Sequence, residues 1–255
     1  MREGTEDYSV NSQTNRYNTV GLDSYYYDDA GNLIEIEGYK YSYDYENRLI
    51  QVLYTSDEVI AEYAYDALGR RIQKDDKIAG EKIRYYYNDN WQVLKETDDN
   101  NSALRWYVYG NYIDEVLVMV APNEPNDYYY AHDHLFSPAA LMEDDGHVIE
   151  RYEYDAYGKP YFLEPNLALA ETQASDYNNV ILFTGRRVDF LDDGDLKLQY
   201  SRNRYYDYHT GRWLTQDRIG YDDGMNLYQY AVSNPVVYYD PLGQQCRYYR
   251  LEGVL

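Results

Sequence analysis

The chain has 255 residues but only one cysteine, Cys246, so no intramolecular disulfide can form. That count leaves the compartment open, because an exported β protein can do without disulfides. No run approaches the roughly 18 apolar residues of a membrane span, so membrane insertion is not expected. The first residues, "MREGTEDYSVNSQTNRYN", lack the apolar core of a signal peptide. Localisation therefore stays unknown, with export as part of a larger assembly left open. Cations are scarce as well. Lys and Arg total 23 against 45 Asp and Glu, a net charge of −22. Nucleic-acid binding needs a cationic footprint to displace phosphate counterions, so that class is excluded. Helical periodicity is nearly absent too. Its one candidate, "NLALAETQAS" at 166–175, reads as a short helix or a mobile loop.

What the chain does have is tyrosine, 37 of them beside only four phenylalanines. A mean hydropathy of −0.79 would otherwise suggest disorder. Tyrosine scores as polar, yet its ring buries a large apolar area and favours strands. The interior is therefore expected to be aromatic, with hydroxyls that need partners.

The tyrosines recur. Tyr27-Asp28, Tyr43-Asp44, Tyr65-Asp66 and Tyr154-Asp155 share one dipeptide, while Tyr87-Asn88 and Tyr109-Gly110 keep the phase with a changed second residue. Each unit alternates on both sides of a turn, as in "YYYDDAGNLIEI", "YSYDYENRLIQV" and "YAYDALGRRIQK". Gly31, Asn47 and Gly69 stand at the same step, where a left-handed residue closes a hairpin. Period-2 alternation predicts strands with one packed face. A lone hairpin is not stable, so the units should pair edge to edge into one long curved antiparallel sheet. The fold class is all-β.

The pattern changes after the Pro160–Pro165 region. "YYYDDAGNLI" and "YAYDALGRRI" resemble the YD repeats of the Rhs family, which includes bacterial polymorphic toxins, toxin-complex shell components and, distantly, teneurins. "FTGRR", "LQYSRNRYYD", "TGRWLTQD", "DGMNLYQYAVSNPV" and "DPLG", in that order, resemble the Rhs-associated core domain. "YYYAHDHLFSPAALMEDDGHVIERYEYDAYG" resembles the segment that links repeats to core. The division expected is an N-terminal segment 1–22, YD repeats 23–163, a loop or short helix 164–179, a core-like region 180–243 and a tail 244–255.

The resemblance implies a β-sheet wound into a hollow shell around a C-terminal toxic polypeptide. The partners it implies are that toxin polypeptide or the remaining shell segments. In many members the core also cuts itself after a DPxGL motif, through an aspartyl-protease-like pair. The matching carboxylates are Asp217 and Asp240, and the cleavage region is Gly243-Gln244. Two apposed carboxylates can share one proton, one acting as acid while the other activates water. Three departures oppose cleavage: Arg218 beside Asp217, Gln244 in place of leucine, and only 12 residues after Gly243. Phe136 also replaces a glycine of the linking segment, which puts that turn in question. Asp240-Pro241-Leu242-Gly243 is equally a type I turn signature.

The bulk reading is a structural shell component, a C-terminal piece without its toxin. Its alternatives are a self-cleaving core, or an aromatic-rich surface that binds carbohydrate or a cell-surface protein. No cofactor is expected. His132-Asp133-His134 holds metal-binding residue types, but no third ligand stands nearby and no metal site is assigned. Asp192-Asp193 and Asp222-Asp223 flank glycines and read as solvated turns.

Overall fold

The computed structural model describes residues 7–222, 224–244 and 246–248. The first six residues of the N-terminal segment, Asp223 and most of the tail lie outside the described residues. Among the described residues strands dominate, and helix is confined to four 3₁₀ turns of three residues each. Fourteen strands, from Tyr26–Tyr27 to Pro160–Leu163, form one antiparallel sheet in which every strand pairs with its neighbours in sequence. Three short strands between Tyr8 and Ser24 precede it. A second sheet of five strands, Ile181–Leu182, Arg186–Leu191, Leu196–Ser201, Arg204–Asp207 and Arg212–Trp213, lies against one face of the first. A two-stranded pair, Tyr238–Tyr239 with Arg247–Tyr248, follows.

The repeat has a local cause. The Asp44 carboxylate accepts the N–H groups of Glu46 (2.9 Å) and Arg48 (3.0 Å), so it closes the turn that Asn47 completes at φ +57. Asp66 holds Leu68 and Arg70 in the same way, and Asp155 holds Tyr157 and Lys159. Asn88 reproduces the contact with an amide oxygen. At Gly110 no such side chain exists, and the Glu115 carboxylate accepts the N–H groups of Asn111 and Tyr112 instead. A Cβ at Gly110 would collide with that carboxylate, so glycine makes room for the substitute.

Five repeat tyrosines stand at bulges, with register shifts at Tyr27, Tyr43, Tyr65, Tyr87 and Tyr109, while Tyr154 pairs in regular register. A bulge bends its strand and adds twist. Hydroxyls from this set reach the preceding unit. Tyr43 donates to the Leu33 carbonyl (2.8 Å), Tyr65 to Leu49 (2.6 Å), Tyr87 to Arg71 (2.8 Å) and Tyr154 to Pro138 (2.8 Å). Leu33, Leu49 and Arg71 are the residues paired with the previous repeat tyrosine. Hairpins are thus stapled in series. Arg48 and Arg70 lie over the next repeat tyrosines, Tyr65 and Tyr87, at 5.0 and 5.4 Å.

Two cores fill the space between the sheets. Leu49, Val52, Ile60 and Tyr63 pack with Leu191, Leu198, Tyr200, Tyr205 and Leu214. Met119, Tyr152 and Phe162 pack with Phe183, Val188, Tyr206 and Trp213. Buried ion pairs cross the same gap. Arg71, 1% exposed, joins Asp189, donates to the Tyr205 hydroxyl (2.9 Å) and lies 4.3 Å from the Tyr200 ring centre. Arg187 joins Glu96, which also holds Arg105 at 2.6 Å.

The segment 166–175 is a loop rather than a helix, and it is tied to the last strand of the long sheet. Leu169 bridges to Leu163, and the Gln173 amide bonds both the N–H (3.1 Å) and C=O (3.2 Å) of Phe162. The loop covers the backbone of the last strand. Phe136 completes its turn at φ +64 under Asp133, with its ring stacked 4.4 Å from Tyr112. The missing glycine therefore does not abolish that turn.

Two outcomes are expected. Tyr65→Phe removes one staple hydroxyl and should cost about 1 kcal/mol, while Tyr65→Ala should cost roughly 3–5 kcal/mol. Urea unfolding measures both, with the exposed Tyr45→Ala as the neutral control. The second outcome concerns Glu96. Burial acts to raise its carboxyl, but the Arg105 and Arg187 guanidiniums overcome this and hold it down at about 2. Its contribution to stability is complete above the ordinary glutamate value near 4.3 and is lost as pH falls towards 2. Unfolding midpoints between pH 5 and 2.5, by the same buffers, should fall more steeply for the wild type than for Glu96→Gln.

Candidate functional site

The two aspartates singled out in the sequence come from different segments. Asp217 follows the strand Arg212–Trp213, where its Oδ1 accepts the Ile219 N–H (3.0 Å) and its own N–H donates to the Leu227 carbonyl (3.1 Å). Asp240 follows the strand Tyr238–Tyr239 and opens a turn whose Gly243 has φ +66. Its Oδ1 accepts the Gln244 N–H at 3.0 Å.

The two meet on a third residue. Arg204 begins a strand of the second sheet, and its Nη2 lies 2.7 Å from Asp217 Oδ2 and 3.1 Å from Asp240 Oδ2. The two oxygens can thus be no farther apart than the sum of those contacts. Arg204 Nε donates to the Gly243 carbonyl (2.6 Å) and Nη1 to the Leu227 carbonyl (3.2 Å). One face of the guanidinium lies 4.2 Å from the Trp213 ring centre. All three charged side chains are buried. Burial pushes the guanidinium below its ordinary value and both carboxylates oppose that shift. Arginine keeps its proton throughout the physiological range.

The rest of the turn is held with equal thoroughness. Arg186 and Arg202 both donate to the Pro241 carbonyl, and each also pairs at 2.8 Å with Asp114, in the turn between the long-sheet strands Ala103–Tyr109 and Val116–Val120. Asn203 donates to the Leu242 carbonyl through its side chain (2.9 Å) and its backbone (3.3 Å). Gly243 packs so closely that a Cβ would stand 2.5 Å from the Ser201 carbonyl oxygen. Both the left-handed backbone and the approach require glycine here.

Chemically, one guanidinium nitrogen contacts both carboxylates, so the pair is bridged by a cation. Adjacency in sequence sets Arg218 against Asp217, but the Arg218 guanidinium donates to the Glu46 carbonyl, and Arg204 is a cation that pairs with Asp217. Arg186, Arg202 and Arg204 were missed by sequence reasoning. The available signal was the density of arginine within "FTGRR" and "SRNR", segments whose alternation placed them in a packed sheet.

The remaining candidates separate. Asp133 closes a turn, His132 stacks on Tyr130, and the His134 Nε2 lies 3.0 Å from the Val236 carbonyl oxygen. Burial pushes the His132 imidazole below its usual value. Among the described residues, no three His, Cys, Asp or Glu side chains are grouped to hold a metal. Asp192, instead of being only solvated, accepts the hydroxyls of Tyr39 (2.8 Å) and Tyr54.

Comparison with known proteins adds the family. The Teneurin YD-shell family model matches residues 9–236. The tRNA nuclease WapA of Bacillus subtilis (strain 168) is 30% identical over 237 residues, covering 90% of this chain and 9% of that protein. Teneurin-3 of Danio rerio is 26% identical over 233 residues, covering 87% of this chain and 8% of its own length. The crystal structure of TcdB2-TccC3-Cdc42 aligns with a TM-score of 0.71 at 22% identity, covering 94% of this chain and 12% of that one. The chain spans about a tenth of the length of these proteins.

Arg204→Met, which keeps volume but removes the charge, should destabilise the protein by about 3–5 kcal/mol, because two buried carboxylates lose their countercharge. Adding Asp217→Asn and Asp240→Asn to Arg204→Met should recover a large part of that loss in urea unfolding. An equal loss in the single and triple variants would contradict the pairing.

Proposed function

This chain belongs to the teneurin YD-shell family, and from that premise we propose that it forms the wall and end section of a shell that encloses a toxin polypeptide. That it is a shell component follows from the family and from the fold it shares with the Tc toxin structures. The observation that carries the enclosure reading is the stapled 14-strand meander covered on one face by the core-like sheet. The sheet is serial, so further hairpins extend it without a new fold. Its partners in this reading are the remaining shell segments and a toxin polypeptide. The toxin-type relatives support that choice, since the tRNA nuclease WapA matches this chain over only a fraction of its own length. Co-expression with the shell segments encoded beside this chain is expected to give a hollow particle by electron microscopy that contains it. A chain that stays apart as a monomer would overturn the reading.

Self-cleavage is the second reading, favoured by one observation: Asp217 and Asp240 converge beside Gln244, whose N–H rests on Asp240. In the first reading the DPLG segment is a docked turn, and Arg204 neutralises the pair instead of leaving a proton between them. Intact-mass measurement of freshly purified protein should then give the full chain at 30.3 kDa. Loss of the residues beyond the Gly243-Gln244 region, abolished by Asp217→Asn or Asp240→Asn, would put the cleaving core first.

A further inference from the structure

We propose that a cleft beside the long sheet, away from the arginine clamp, binds a short, basic, extended polypeptide segment. The cleft encloses about 670 Å³, within the roughly 300–1,000 Å³ of small-ligand sites. Its walls are the turns that carry Gly80, Asn100 and Asn123, and it is closed on the other side by Tyr177-Asn178. Ile83, Leu104, Ala121 and the Tyr177 ring give it apolar surface.

Charge sets the chemistry of the occupant. Three cations line the cleft, and each already has its partner. Lys77 pairs with Asp75 (2.8 Å) and Glu62 (2.9 Å), Lys82 with Asp75 (3.1 Å) and Asp99 (3.9 Å), and Arg105 with Glu96 (2.6 Å). Glu81, Asp98 and Glu124 also line it and enter no ion pair among the described residues. The cleft therefore presents unbalanced negative charge over an apolar floor.

A free metal ion or small anion does not answer both features. A peptide that alternates Lys or Arg with apolar side chains does, because extended chain sends successive side chains to opposite sides. Its cations meet Glu81, Asp98 and Glu124 while its apolar side chains meet Leu104 and Tyr177. The inference does not depend on the shell reading and is tested on the isolated chain.

The probe is a fluorescent eight-residue peptide of alternating Lys and Leu, followed by anisotropy. The wild type is expected to bind it in a salt-sensitive way. Glu81→Gln with Asp98→Asn and Glu124→Gln should weaken binding about tenfold, from three lost charge contacts. Asn at 98 keeps the turn acceptor, as Asn88 does. A control with the same charge change elsewhere, Glu58→Gln with Asp144→Asn and Glu171→Gln, should change binding less than about twofold. Leu104→Lys, which fills the floor with a cation, should also block the peptide. Equal losses in the two triple variants would reduce the effect to the overall net charge and overturn the site. So would absence of binding, equal binding of an alternating Glu–Leu peptide, or full displacement by equimolar spermine, which would identify a polyamine site instead. Thermal unfolding of each variant verifies that the fold is kept.

Discussion

A tyrosine ring serves as core material at least cost when its hydroxyl finds an acceptor, and the alignment of the repeats follows from how that need is met. A buried hydroxyl without a partner costs on the order of 1–3 kcal/mol. For Tyr43, Tyr65 and Tyr87 the acceptor is the backbone carbonyl of the preceding hairpin, and a bulge stands at each of the three. The same bond that satisfies the side chain therefore fixes the register between neighbouring units. Sheets of identical hairpins are prone to slip by two residues, which preserves the buried face. A staple from Tyr65 to Leu49 or from Tyr87 to Arg71 is lost on such a slip. The repeat thereby specifies its own alignment.

The scarcity of cations acquires a structural meaning in this setting. A chain of net charge −22 repels itself on its surface, yet Arg71, Arg186, Arg187, Arg202 and Arg204 are placed inside, between the sheets. Arg71, Arg186, Arg187 and Arg202 face carboxylates across the gap, Asp189, Asp114, Glu96 and Asp114 again, while Arg204 pairs with Asp217 and Asp240, which follow its own sheet in sequence. Arginine suits these sites, since its planar fork serves several acceptors and its face stacks on Tyr200, Tyr107 and Trp213. Buried ion pairs add little net stability over apolar packing. They do discriminate, because any other docking of the two sheets would strand a charge in a dry interior.

How much of this was legible depends on distance along the chain. The all-β meander follows from the spacing of Tyr43, Tyr65, Tyr87 and Tyr109, since the carboxylate turn and the staple are local. The inter-sheet pairs join residues about a hundred positions apart, and a lone arginine in a sequence reads as solvated. One clue was present. Leu33, Leu49 and Val93 each pair with a repeat tyrosine, and Arg71 occupies the same column. A cation in an apolar column announces a buried carboxylate without naming it. Arg218 shows the reverse error, for adjacency to Asp217 in sequence says nothing about where a long side chain ends. At 166–175 alanine and leucine suggested helix, but Gln173 found backbone groups of Phe162 that no local propensity encodes.

The same logic bears on the DPLG turn. A turn signature alone requires only Asp at the first position, Pro at the second and Gly at the fourth, all of which a solvated loop could supply. Here Asp240 is 4% exposed, and the carbonyls of Pro241, Leu242 and Gly243 each accept from a residue of the second sheet. A solvated loop needs no such fixing. The clamp fixes the turn to the second sheet, with the paired strands Tyr238–Tyr239 and Arg247–Tyr248 on either side of it. Docking a chain end and positioning a bond for cleavage impose the same geometric demand, that the backbone stay still. What separates them is the charge between the two carboxylates, which Arg204 fills. Both demands are met by the backbone here, so the charge on the carboxylates is where the two readings of this turn differ.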